Sequence, residues 1–334
     1  MTAYTSSTEV ARRIIEDIVI QHDSFHQVMG RMDMLWRDAQ ARIPIVAPFI
    51  GESGTGKSTA IKTFLAKHPP SREPDGLVVP VLSVQVPSKP SPRALAERIL
   101  WALGDPRPTA GSAAAKLDRI VVNFDRAHVL VLLLDDVQGF VDKRQQIALY
   151  DSSDYLKELL VSYELALFCF GLPECELLIM SNEQLQTRCC AVVELKRFDW
   201  MAKVSQNQFV GVLAAFQRGI VAFEFPELAS PELSLRMYLA SGGLMRNIST
   251  ILSTAIRNAI DNDTNKIRLH DLAVAWSQGV YRANKEYPNP FGNGFKLNDL
   301  PTKIALAKTI GQRVDRPQPV HSRKPGSVLA DLAL

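Results

Sequence analysis

The sequence predicts an α/β protein built on a parallel sheet, followed by a smaller all-helical region. Three observations predict it. An apolar stretch, residues 43–50, runs straight into a glycine-rich turn at 51–58. A second apolar run, residues 129–134, ends on two acids, Asp135 and Asp136. From about Trp200 onward helical spacing continues, but no further strand candidate appears. Strands that alternate with helices imply parallel pairing, because each crossover needs room for a helix.

Taken in order, residues 9–22 carry Val10, Ile14, Ile15, Ile18 and Val19 at helical spacing,. Residues 24–41 repeat the pattern with Phe25, Val28, Met29, Met32 and Leu35. Strands are then expected at 43–50, 78–86, 129–134, 166–170 and 192–195. Continuous apolar runs of this length suit strands covered on both faces. Helices are expected between them at 58–67, 91–103, 116–125, 155–162, 174–181 and 183–187, with Pro92 placed where a helix begins,. Four more follow, at 203–218, 230–239, 244–262 and 269–284. Beyond Tyr287 the chain reads PNPFGNGF and later RPQPVHSRKPGS, a composition that predicts a flexible tail,. Its last residues, 328–334, turn apolar again and suit a short docking segment. The expected organisation is a helical segment at 1–42, an α/β core at 43–199, a helical lid at 200–287 and a flexible tail at 288–334.

Composition sets bounds. The chain has 334 residues, 46% hydrophobic and 22% charged, with a formal net charge of +3 and a pI near 8.6. That balance suits a folded protein with a sizeable core. The mild positive charge permits nucleic-acid binding without arguing for it. Cys169, Cys175, Cys189 and Cys190 form no CxxC pair, and no histidine stands at zinc-ligand spacing from them,. They read as thiols in a reducing compartment. With no apolar signal core at the start and no run long enough to span a bilayer, the expected location is cytoplasmic.

The turn Gly51-Glu52-Ser53-Gly54-Thr55-Gly56-Lys57-Ser58-Thr59 fits G-x-x-x-x-G-K-[ST] at every fixed position,. The glycines let the backbone curl so that its N–H groups converge on phosphate oxygens. The following helix adds the positive end of its dipole. Lys57 is placed for the β- and γ-phosphates, and the Ser58 hydroxyl for Mg²⁺. Asp135, delivered by an apolar strand, is the expected partner of the metal shell. Asp136 is placed to orient or deprotonate water. Many hydrolases of this type carry Glu at the second position. Aspartate is one methylene shorter, so slow hydrolysis is expected. Thus ATP and Mg²⁺ are the expected ligands.

With these pieces in sequence, the chain resembles the AAA+ ATPases, and among them the TniB/TnsC-type transposition regulators, with the MuB-like regulators more distant. The likeness covers roughly residues 10–285. It is carried by IVIQHDSFHQVMGRM, GESGTGKST, LLLDDVQGF and FGLPECELLIMSNEQLQTR. The resemblance implies an AAA+ parallel sheet with helices on both faces and a C-terminal helical lid. It implies an ATP-dependent switch that oligomerises on duplex DNA as a ring or filament and links a target-selecting factor to a DDE transposase. It places an arginine finger at Arg188, just before the last strand, and a phosphate-contacting Arg246 in SGGLMR; an ordinary surface arginine is the competing reading of the first, and a helix-capping turn with a solvated arginine that of the second. It also places DNA-facing residues after the second strand and next helix, at Lys89, Arg93 and Thr109, where a solvated loop is the bland alternative. No Asn or Thr closes the 166–170 strand, so the sensor 1 role stays unassigned. Two other readings compete. One is an AAA+ switch of initiator, loader or signalling type with no role in transposition. The other is a small-molecule kinase, disfavoured by the long helical region after Trp200.

Overall fold

In a computed structural model of the chain, the described residues are 15, 18–74, 76–87, 90–141, 146–282, 284 and 286–311. The side chains of residues 146–148 are likewise outside the description. The helix expected at 9–22 lies mostly outside these residues. Residues 18–22 are not helical, yet Ile15, Ile18 and Ile20 pack against the C-terminal helical region. The first described helix is α1, Asp23–Gln40, and it buries the stripe that its spacing predicts: Phe25, Val28, Met29, Met32 and Leu35.

The sheet has five parallel strands: β1 (Ile45–Gly51), β4 (Val81–Gln85), β5 (Val131–Asp135), β6 (Ala166–Gly171) and β7 (Val193–Leu195). Their spatial order is β4-β5-β6-β1-β7. The register aligns Gln85 with Asp135 and Gly51 with Leu195, so these strands end along one rim. A small antiparallel pair, β2 (Ser71–Glu73) and β3 (Gly76–Val78), stands apart from the sheet. The sequence reading merged β3 with β4. Pro80 separates the two, and a proline cannot donate to a sheet ladder,.

Alternation along each strand splits the core into two layers. Val46, Ile50, Leu132, Leu134, Leu167 and Cys169 face one side. That side is covered by α3 (Pro92–Ala102), α4 (Ala113–Arg126) and α5 (Gln146–Ser162). Ala47, Phe49, Leu133, Phe168 and Phe170 face the other, under α1 and α2 (Lys57–Lys67). Phe49 and Phe170 stack there with ring centroids 4.7 Å apart. Such a pair contributes about 0.5–1.5 kcal/mol beyond the area it buries. Helix α5 starts earlier than the sequence reading suggests. The DSSD stretch at 151–154 has turn composition, but Ser152 and Ser153 are buried within the helix.

Two short helices, α6 (Glu176–Met180) and α7 (Glu183–Thr187), lead into β7. After β7 the chain is helical: α8 (Lys203–Gly219), α9 (Pro231–Ser241), α10 (Met245–Asp261), α11 (Leu269–Gly279) and α12 (Leu300–Lys308). These helices share a third core around Trp276, Tyr238 and Phe209. Helix α11 ends at Gly279 rather than running to 284.

The expected flexible tail from residue 288 needs correction. Tyr287, Phe291, Phe295, Ile304, Ala307 and Ile310 are all buried in the helical core. The Tyr287 hydroxyl donates to the Leu239 carbonyl at 2.9 Å, and Asn289 Nδ2 donates to the Ala273 carbonyl at 2.8 Å. Composition misled because Pro, Gly and Asn dominate by count while three aromatics set the packing. Residues 312–334, including the apolar end, lie outside the described residues.

Candidate nucleotide-binding site

Strand β1 brings the chain to the rim of the sheet, where Gly51 leaves no room for a side chain. A Cβ there would sit 2.5 Å from the Leu195 carbonyl oxygen. The turn that follows uses Gly54 at φ +91° and Gly56 at φ +110°, backbone that favours glycine,. Inside it, the buried Thr55 hydroxyl donates to the Glu52 carbonyl at 2.9 Å and fixes the curl. Gly56 is the N-cap of α2 and supplies no side-chain cap. The first N–H groups of a helix have no partner within the helix. They face the turn at the positive end of the helix dipole, which is where an anion is held.

Lys57 Nζ donates to the Gly51 and Glu52 carbonyls, at 2.6 and 2.9 Å. Burial lowers its pKa, and the nearby Asp135 carboxylate opposes that shift. Asp135 itself is raised, first by burial and then by repulsion from Asp136. The donor set therefore fits a magnesium triphosphate. An amine and a ring of N–H groups stand ready for phosphate, while the exposed Ser58 hydroxyl and the Asp135 carboxylate suit a hard cation that would relieve the repulsion between the two acids,.

Asp136 is held in a way the sequence does not announce. Its φ is +60°, and its N–H donates to Asp135 Oδ1 at 2.9 Å. Gln85 Nε2, at the end of β4, donates to Asp136 Oδ2 at 3.0 Å. Gln138 Nε2 donates to Oδ1 at 2.8 Å. Gln138 Oε1 in turn accepts from the Leu172 N–H at 3.1 Å, so this side chain bridges β5 to the end of β6. That explains Gly171. A Cβ on it would lie 2.6 Å from Gln138 Oε1 and 2.1 Å from Cys175 Sγ. At the end of β6, where no Asn or Thr stands, a glutamine from the helical turn after β5 meets the backbone. A polar residue closing an apolar strand, and a glutamine two residues past an acid pair, were the available signals for Gln85 and Gln138.

The helical region reaches the turn directly. The Arg246 N–H donates to the Gly54 carbonyl at 3.0 Å, and its Nη1 donates to Ser53 Oγ at 3.2 Å. Arg246 thus stands over the same turn that Lys57 and Ser58 form. Glu52 pairs with Arg197, which follows β7, through two hydrogen bonds.

Arg188 is elsewhere. Its carbonyl accepts from the Val46 N–H at 3.0 Å, near the start of β1, and its Nη1 donates to the Gln184 carbonyl at 3.1 Å. From Val46 to Gly51 the strand advances about 16 Å. Arg188 is therefore remote from the turn of its own chain. Lys89 lies outside the described residues. Arg93 and Thr109 do come together, the Arg93 Nη2 donating to the Thr109 carbonyl at 3.5 Å. Glu97 occupies another edge of the Arg93 guanidinium at 2.9 Å. All four cysteines are free thiols, with Cys169 and Cys175 buried.

Comparison with solved structures places the architecture. The chain superposes on Cdc6p from Pyrobaculum aerophilum with a TM-score of 0.59 and 15% identity, covering 82% of this chain and 72% of that one. It superposes on the ORC2 protein of Aeropyrum pernix, solved as ADPNP–ADP complexes, with a TM-score of 0.57 and 15% identity, covering 81% and 72%. For the ORC1 protein of Aeropyrum pernix in complex with DNA the TM-score is 0.55 at 16% identity, covering 80% and 69%. At such identities these likenesses establish a shared AAA+ fold and nothing about partners. A comparison with curated protein sequences finds no significant match. The model of the family described as "Bacterial TniB protein" matches residues 11–199, more than half of the chain and all of the sheet with its phosphate turn. By this match, the chain belongs to the TniB family of AAA+ ATPases.

Proposed function

We propose that this protein is an ATP-dependent, DNA-binding regulator of transposition. It oligomerises on duplex DNA without reading sequence, and it links a target-selecting factor to a DDE transposase. The observation that carries the reading is the division of the site. One chain supplies Lys57, Ser58, Asp135, Asp136 and Arg246 around a single turn, while Arg188 stands about 16 Å away along β1,. An arginine so placed serves the nucleotide of a neighbouring subunit, so the complete site is an interface and ATP is what closes it.

In this reading residues 51–59 wrap the triphosphate, Lys57 neutralises its outer phosphates, and Ser58 with Asp135 holds Mg²⁺. Mg²⁺ held by these two residues would offset the charge of the phosphates. Asp136 orients the attacking water under the restraint of Gln85 and Gln138. Arg188 of the next subunit stabilises charge that develops on the γ-phosphoryl group. Residues Lys89, Arg93 and Thr109 contribute to the DNA track, with contacts to backbone phosphates alone. Membership of the TniB family favours transposition over a role as an initiator, loader or signalling switch. The AAA+ fold is common to all of these and does not separate them.

The test is DNA binding by the full chain with duplex DNA, Mg²⁺ and ATP. Wild type binds in a salt-dependent manner, and the double variant Lys89→Glu/Arg93→Glu loses binding while its basal ATPase rate holds. Equal DNA binding by that variant would remove these residues from the track.

A further inference from the structure

Arg197 joins the phosphate turn to two places in the helical region, the turn after α9 and the end of α12. It follows β7, whose Leu195 is in register with Gly51. Its Nε donates to Glu52 Oε1 at 2.9 Å, and its Nη2 donates to Glu52 Oε2, a two-pronged grip on one carboxylate,. Its remaining nitrogen, Nη1, donates to three carbonyls: Lys308 at 2.9 Å, Gly242 at 3.2 Å and Ile310 at 3.3 Å. Lys308 ends α12, and Gly242 caps the end of α9. Both helix ends leave carbonyls unpaired and carry partial negative charge, so one cation satisfies both. The arginine side chain is only 10% exposed. No lysine could replace it, because one ammonium cannot present a fork to the carboxylate and a third edge to the carbonyls.

The surrounding fit is tight. A Cβ on Gly242 would lie 2.5 Å from the Ala307 carbonyl oxygen, and one on Gly243 would lie 2.3 Å from the Phe198 carbonyl oxygen. Lys308 also pairs with Asp199 at 2.9 Å. Residues 300–311 are therefore seated on the turn between α9 and α10, immediately before Arg246. On its other side, Glu52 is the residue whose carbonyl, with that of Gly51, accepts from Lys57 Nζ. Lys57 Nζ spends two of its three N–H donors on these carbonyls, so a phosphate that draws the amine outward would alter the partners of the Glu52 backbone, whose side chain Arg197 holds,.

We propose that Arg197 is a positioning residue that couples the phosphate turn, through Glu52, to the docking of residues 300–311. This rests on the nucleotide-binding reading above and goes beyond it: α12 becomes the element that responds to nucleotide.

The experiment compares wild type, Glu52→Gln and Arg197→Lys as full chains, with Mg-ATP titrations and amide hydrogen exchange of residues 300–311 in each state. Glu52 is 42% exposed at its side chain, so Glu52→Gln keeps the fold, and an unchanged thermal transition verifies it. In wild type, ATP alters the protection of 300–311. In Glu52→Gln that change disappears, and ATP affinity falls about fivefold or more. Arg197→Lys behaves alike, and combining the two substitutions costs no more than either alone. Wild-type protection at 300–311 that ignores bound ATP overturns the coupling, as does a Glu52→Gln protein with an intact response. Failure of wild type to bind ATP at all would instead refute the nucleotide site itself.

Discussion

Lys57 illustrates how a single residue ties local sequence to function. Its amine is half-buried, depressed in pKa, and donates to carbonyls of its own turn. It ties the turn together, and in the proposed function it exchanges a carbonyl for phosphate. Replacing Lys57 with Ala is expected to abolish ATP binding in a fluorescent-nucleotide titration while the melting transition stays within a few degrees, since three glycines and Thr55 still shape the turn. Asp136 makes a different kind of prediction. Asp136→Asn keeps the size of the side chain but removes the carboxylate proposed to orient the water, so kcat should fall by about 10²–10⁴ with ATP affinity retained. Gln138→Ala leaves that carboxylate but frees one of its oxygens, and kcat should fall about tenfold through lost orientation,. Equal rates for Gln138→Ala and wild type in a steady-state assay would mean that the amide restraint has no part in hydrolysis. The motif residues were legible because they are neighbours in sequence. Gln85 with Asp136, and Arg197 with Glu52, are separated by 51 and 145 positions. Only the strand order brings them together, so no window of sequence shows them.

Elements were legible where their spacing was regular. The five strands of the sheet follow from apolar runs between helical segments, and β5 with its acid end follows from one such run. Errors arose where composition and packing disagree. The β2–β3 pair is short and exposed, so it has no apolar pattern to find. Segment 286–311 looked like a linker because proline, glycine and asparagine mask Tyr287, Phe291 and Phe295. Phe291 is 1% exposed and packs in the core of the helical region. Phe291→Ala should therefore destabilise the protein by about 3–5 kcal/mol in denaturant unfolding. A loss below about 1 kcal/mol, the range of surface substitutions, would return the segment to the status of a tail. Among the described residues, no helix is long and apolar enough to cross a membrane.

The whole molecule is organised so that one rim of the sheet, the α10 start and the α9–α10 turn converge on the phosphate turn, while Arg188 is held near the far end of β1. That arrangement predicts complementation. On the proposed assignment, Lys57→Ala lacks a grip on ATP but keeps Arg188, and Arg188→Ala binds ATP but lacks the finger. Each alone should hydrolyse ATP far more slowly than wild type, and mixing the two should restore part of the rate, because some interfaces then pair an intact turn with an intact Arg188. Additive rates on mixing would place Arg188 outside the site. The mild net charge of +3 suits DNA binding that depends on assembly, with many weak phosphate contacts summed over subunits,. The most direct measurement of the central claim is electron microscopy of the full chain with duplex DNA, Mg²⁺ and ATP, beside the same mixture without nucleotide. The account predicts ordered rings or filaments on DNA with ATP and none without it or with Lys57→Ala. A protein that stays monomeric and unbound with ATP at low salt would contradict it.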